Sequence, residues 1–333
     1  MSSPRVTVLM TLYDKGPFVE EAVRSVLVST FPDFELLVVD DASSDDGASR
    51  VAHFGDQRVR IHRNAKNLGR ARNANLGFSL AQGEYIAILD ADDRMHPERL
   101  AKQVAFMDAH PEVGACGTWA QLIGDRSHIA RWPATDAEAR GLLLFEDPLL
   151  YGSAMLRRSV LLAHGLCCPD DWDAPGMDYL FLLRLAAAAQ VANLQEPLTY
   201  YRLGPNNFRH DRDRTADSIR ILREALNSFG LSPSRDELNA HLVLTHRAAP
   251  PESAEGIRAL NSWTSRLLRF NAERAVFTPS VFKSKVREEL DRVFFILAQQ
   301  RSANAMLHLR LSGGWSIRRA RYYFSLMLHG RRA

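Results

Sequence analysis

Tyr85-Ile86-Ala87-Ile88-Leu89-Asp90-Ala91-Asp92-Asp93 passes from five apolar residues directly into three carboxylates. So short and uniform an apolar run fits a strand covered on both faces, as in parallel sheets sandwiched between helix layers. The same change occurs twice upstream. Val6 to Met10 leads into Tyr13 and Asp14, and Phe34 to Val39 leads into Asp40-Asp41-Ala42-Ser43-Ser44-Asp45-Asp46-Gly47. Helical signals fill the gaps. Pro17 suits a first helical turn, and Val19, Ala22, Val23, Val26 and Leu27 follow on one face. Leu68 to Leu80 reads as a helix closed by Gly83, Pro97 opens another with Leu100, Val104 and Met107 buried, and Val59–His62 and Val113–Trp119 are further strands. This alternation predicts an α/β fold, a mostly parallel, doubly wound sheet with right-handed crossovers.

In such sheets ligands bind at the carboxyl ends of the strands. The polar clusters sit at those ends, so Tyr13, Asp40, Asp41, Asp90, Asp92 and Asp93 are expected around one cleft. Crowded carboxylates call for a cation, and oxygen ligands suit Mg²⁺ or Mn²⁺ sharing coordination with a diphosphate. The competing reading is a turn in which an Asp caps the next helix. A buried carboxylate at Asp40 could accept from an imide N–H such as that of uracil, or serve the turn; Tyr13 could stack on a base or join the core. Arg70 and Arg72 diverge at a helix start, so one could face the cleft.

The 333 residues, 46% hydrophobic and 24% charged, describe an ordinary globular chain of about two domains rather than a disordered one. A net charge of +3 does not call for nucleic acid. Cys116, Cys167 and Cys168 have neither disulfide-framework nor zinc spacing and fit a reducing cytoplasm; no apolar run is long enough to span a membrane. Between Gly141 and Arg202 the pattern loosens, with a strand expected at Ser153–Leu156 and a helix at Tyr179–Ala189. Beyond about Thr215 only helical periodicity remains, at Ser218–Phe229, Ala254–Phe270 and Ser280–Gln299. From Arg301 onward the chain has seven arginines, several aromatics and no Asp or Glu. That composition suits either an anionic membrane surface or a docked helix with solvated arginines.

The blocks Val6–Asp14, Val38–Gly47, Asn67-Leu68-Gly69 with Ala71-Arg72-Asn73, and Gly83–Asp93 agree in order, spacing and content with one family: the chain resembles the family 2 glycosyltransferases of GT-A (Rossmann-like) fold. The likeness is strongest over the first hundred residues and fades by about residue 205. It implies a catalytic domain over 1–205 and a helical region over 206–333. It further implies nucleotide binding by Thr11, Tyr13, Asp40, Arg72, Asp90, Ala91 and Asp92, a divalent metal at Asp92 and Asp93, and Asp178 as catalytic base. Asp170, Asp171 and Asp173 are alternatives for the base, and Arg202 is a diphosphate contact. The implied partners are a nucleotide-sugar donor, expected to be a UDP-sugar, and a glycan or lipid-linked acceptor in surface polysaccharide or glycoconjugate synthesis, reached in the cytoplasm or at the inner face of the membrane. Thr11, Asp14 and Met177 depart from the family's usual Pro, Asn and Glu.

Two other classes remain open on sequence. A phosphohydrolase would place Asp-x-Asp-x-Thr near the first strand, whereas here the acidic motif follows the fourth. A non-catalytic nucleotide-binding protein of the same fold would not need Asp92, Asp93 and Asp178 together.

Overall fold

The computed structural model describes residues 3–125, 127–170, 176–204, 215–300, 302–314 and 316–329. In chain order the first part comprises β1 (Val6–Leu12), α1 (Gly16–Leu27), β2 (Phe34–Asp40), α2 (Gly47–Ala52), β3 (Val59–Arg63), α3 (Arg70–Leu80), β4 (Tyr85–Ile88), β5 (Arg94–Met95), α4 (Arg99–Ala109), β6 (Val113–Gly124), β7 (Ile129–Ala130), α5 (Asp136–Leu142), β8 (Met155–Arg157), α6 (Arg158–His164), α7 (Met177–Ala188) and β9 (Gln190–Leu203). The remainder is helical: α8 (Thr215–Ser228), α9 (Arg235–Leu244), α10 (Ala254–Arg274), α11 (Pro279–Gln299), α12 (Asn304–Leu311) and α13 (Ile317–His329). The chain divides into two compact units, Met1–Arg140 with Asp147–Arg212, and Gly141–Glu146 with Asp213–Ala333.

In the first unit the sheet runs β3-β2-β1-β4-β8-β6-β9-β5, with β7 on β6. β3, β2, β1 and β4 are parallel, as the strand-helix alternation predicts. The doubly wound pattern stops there. β8 is antiparallel to both β4 and β6, while β6 and β9 pair in parallel over eleven positions with bulges. β8, which falls in the loosened sequence after Gly141, is only three residues long.

β1 and β2 are buried almost throughout, and α1 lays Val19, Ala22, Val23 and Val26 against them. α3 approaches more closely because its inner face is Ala71, Ala74 and Gly77; a Cβ on Gly77 would lie 2.4 Å from Leu9 Cδ1. At the amino ends of the strands Thr7 Oγ1 donates to Glu35 at 2.6 Å and accepts from Gly83 N, and Arg60 pairs with Glu35. Those polar groups satisfy one another. The carboxyl ends differ.

The helical unit has its own core, centred on Trp263, Phe282 and Phe294. His241 is buried there, accepting from Trp263 Nε1 at Nδ1 and bonding Leu144 O through Nε2, and burial lowers it to about 4. α9 begins with a capping box at Ser234 and Glu237. Among the described residues no helix is long and apolar enough to cross a membrane.

Candidate active site

Three loops meet beyond the carboxyl ends of β1, β2 and β4. The loop after β1 is stitched to the loop after β2: Asp14, at φ 49°, accepts from Ser44 N at 2.7 Å, and Asp14 N donates to Ser43 Oγ. Tyr13 projects from this junction and is 49% exposed, too accessible to be core. Thr11 lies beside Val39 in the ladder, one step inside the cleft rim.

The two adjacent aspartates after β2 have separate fates. Asp41 is fully engaged, with Oδ1 accepting from Asn64 Nδ2 and Leu68 N and Oδ2 from Gly69 N, so it fixes the entry to α3. Asp40 is completely buried and uses Oδ1 for Ser43 N and Oγ. Its Oδ2 makes no hydrogen bond; Arg63 Nε lies 3.2 Å away as an ion pair only. A buried carboxylate oxygen with spare capacity is a receptor for an N–H donor.

Asp90, Ala91, Asp92 and Asp93 form the turn between β4 and β5. Ala91 is buried and anchors it. Asp93 is 1% exposed, accepts from Arg202 N through Oδ1 at 2.8 Å, and leaves Oδ2 without a hydrogen bond. Burial, then Asp90 and Asp92, push its carboxyl well above the usual range. Burial also pushes Asp90 up to about 6, with Asp92 and Asp178 adding to the rise and Arg70 and Lys15 opposing it. Asp178, in the first turn of α7 after Gly176 at φ 105°, is within electrostatic reach of Asp90 although far along the chain.

Cations surround these acids, and several had no sequence signal. Lys15 Nζ lies 2.6 Å from Asp92 Oδ2. Arg99, buried on α4, donates to Gly152 O, Ile88 O and Ala154 O beneath the turn, and burial lowers it to about 10. Helical periodicity marked its neighbour Leu100 as inward but gave no reason to bury a guanidinium. Of the two arginines on α3, Arg70 is the one whose charge reaches Asp90, while Arg72 Nε donates to Asp170 O at 3.2 Å. Asn75, one turn on, clamps both Cys168 N and O, so α3 holds the segment leading toward Asp178. Asp171 and Asp173 lie outside the described residues. Arg202 stacks on Phe18, donates to Asp92 O and pairs with Glu21.

Among the described residues no three His, Cys, Asp or Glu side chains converge as a complete metal cage. That is compatible with Mg²⁺ or Mn²⁺, which dehydrate reluctantly and are held by one or two carboxylates with the rest from water and substrate phosphates. Asp93 Oδ2 is buried without a hydrogen bond, and burial, then Asp92, raises Asp90, so the turn holds carboxylate oxygen not committed to a protein donor.

Comparison with known proteins agrees with this geometry. An uncharacterized glycosyltransferase of Haemophilus influenzae is 26% identical over 247 residues, 68% of this chain and 76% of that protein. Staphylococcus aureus TarS 1-349, solved in complex with UDP-GlcNAc, covers 86% of this chain and 89% of its own at 17% identity with TM-score 0.61. The mannosyltransferase PcManGT of Pyrobaculum calidifontis, solved with GDP-Man and Mn²⁺, covers 98% and 87% at 18% identity with TM-score 0.51. These two share the GT-A fold with this chain. Residues 7–164, which hold every strand-end acid described above, match the sequence model described as Glycosyl transferase family 2.

Proposed function

We propose that the protein transfers a sugar from a UDP-linked donor to a hydroxyl group of a glycan or lipid-linked acceptor, in one displacement that inverts the anomeric carbon. The observation that carries this reading is that the charge of Asp178 reaches Asp90, which sets a candidate base within electrostatic range of a candidate diphosphate site. Asp40 Oδ2 supports uridine, since a buried acceptor suits the imide N–H, and exposed Tyr13 would stack on the same base. Thr11 and Ala91 shape the cleft around it. Arg72, joined by Arg70, would face the diphosphate, and Arg202 would hold the acidic turn beneath it.

Asp92 would hold a divalent cation with Asp93, and when bound that cation neutralises charge on the departing diphosphate. The rest falls to the chain's own side chains. Asp178 takes the proton from the acceptor hydroxyl as its oxygen attacks, and Lys15 and Arg70 limit the repulsion among the carboxylates. The domain assignment follows: catalysis belongs to the unit containing β1 to β9, and the helical region serves another purpose.

Asp178→Asn tests this directly. Turnover should fall by about 10²–10⁴-fold, with UDP affinity in Mn²⁺, by calorimetry, unchanged within about twofold. Undiminished turnover, or loss of UDP binding in parallel with turnover, would remove Asp178 as the base. Thermal stabilisation by UDP-sugars with Mn²⁺ tests the donor, and stabilisation by guanosine donors alone would overturn the uridine reading.

A further inference from the structure

The surface of α13 carries large apolar side chains that the helical unit does not cover. Ile317 is 69% exposed and Phe324 is 53% exposed, while Ala320 and Tyr323 face inward. At 100° per residue Ile317 and Phe324 lie 20° apart, forming one apolar edge, with exposed Arg321 and Arg318 next around the helix. Tyr322 follows them at the wall of a cavity of about 660 Å³, lined also by Arg287, Phe295, Ser316, Arg318 and Arg319. Asp291 pairs with Arg287 and Arg319, so the lining keeps a net positive charge.

We infer that α13 and this cavity form a peripheral docking surface for an anionic lipid bilayer, the apolar edge entering the interface and the arginines meeting phosphate headgroups. Charge complementarity selects this occupant. The sequence from Arg301 to the end has seven arginines and no acid, which repels a second copy of itself and attracts an anionic leaflet. An apolar edge beside arginines, with a tyrosine at the border, is the composition of a helix lying in the plane of an interface. Trp315, Arg331 and Arg332 belong to the same stretch but lie outside the described residues. This surface is independent of the chemistry assigned to Asp178.

The full-length protein is floated with phosphatidylcholine vesicles and with vesicles containing about one third phosphatidylglycerol. Binding is expected to the anionic vesicles only and to weaken as salt is raised. Arg318→Gln with Arg321→Gln should reduce partitioning about thirtyfold, and Ile317→Ser with Phe324→Ser should reduce it at unchanged charge. Circular dichroism and UDP-dependent thermal stabilisation confirm that the variants fold. Equal binding to neutral vesicles, or no vesicle binding by the wild type, overturns the proposal. So does a concentration-dependent rise in mass, by light scattering, that the same substitutions abolish without vesicle binding, which would assign the surface to self-association.

Discussion

Lys15 Nζ sits 2.6 Å from Asp92 Oδ2, an internal counter-ion at the carboxylate proposed above to hold a divalent cation. Both side chains are mostly shielded from solvent, so their attraction is screened less than at an open surface. Lysine and metal would compete for the same oxygen. Lys15→Met should therefore tighten Mn²⁺ binding in the absence of donor by about tenfold, measured by electron paramagnetic resonance of free Mn²⁺. Weaker Mn²⁺ binding would show that Lys15 supports the cation rather than opposing it.

Asp40 and Asp41 are neighbours with opposite predicted consequences. In Asp40→Asn, Ser43 keeps the amide oxygen at the Oδ1 position, so the NH₂ points where Oδ2 was and meets an imide N–H donor with another donor. UDP affinity should drop by about tenfold or more with little change in the urea midpoint. Asp41→Asn loses part of its three-donor network and should destabilise the fold by about 1–3 kcal/mol while affecting UDP less. Exchange of the two outcomes would reverse the assignments.

Stability should depend on pH through the acidic turn. Asp90 holds its proton up to about 6 in the folded chain, and Asp93 is raised as well, whereas both would ionise near 4 when unfolded. The folded state thus binds more protons between about 4 and 6, and stability falls as pH rises through that window. Asp90→Asn should flatten this part of the profile and, well above pH 6, stabilise the ligand-free protein by up to ~3 kcal/mol. Urea titrations across the pH range measure both effects; a midpoint that rises through the window would contradict them.

Arg99 is the most consequential structural cation. It joins β4 to the Gly152–Ala154 segment through three carbonyls and offsets Asp90 and Asp93 from below. Arg99→Met strands those carbonyls and acids together, so a loss of about 3–5 kcal/mol is expected, read from chemical unfolding. A loss below about 1 kcal/mol would mean that water or a side-chain shift replaces the guanidinium.

The parallel half of the sheet was legible because β1, β2 and β4 are short apolar runs ending in acids, a local signal. The site acids at those ends were legible for the same reason. The other half was legible only in part: strands were expected where β6 and β8 stand, but three-residue β8 is too short to reveal its direction and β5 is only two residues long. Lys15 and Arg99 escaped because a basic residue ordinarily reads as solvated, and only the position of distant acids gives it another role; of the pair Arg70 and Arg72, the sequence left open which one reaches the acids. The α9 helix was missed although Ser234 and Glu237 form a capping box, a signal the sequence does contain.

The pairing of β5 with β9 bears on the order in which the protein is assembled. Arg94 and Met95 take their ladder partners from Tyr200 and Thr199, and Asp93 takes its backbone donor from Arg202. During synthesis the strands β1 to β4 can pair as they leave the ribosome, but the acidic turn must wait for more than half of the chain to emerge. A nascent chain ending before Gln190 would hold the whole acidic motif with Asp93 deprived of that donor. Completion of the acidic turn is thus a late event, timed by the arrival of a strand that contributes no acid of its own to it.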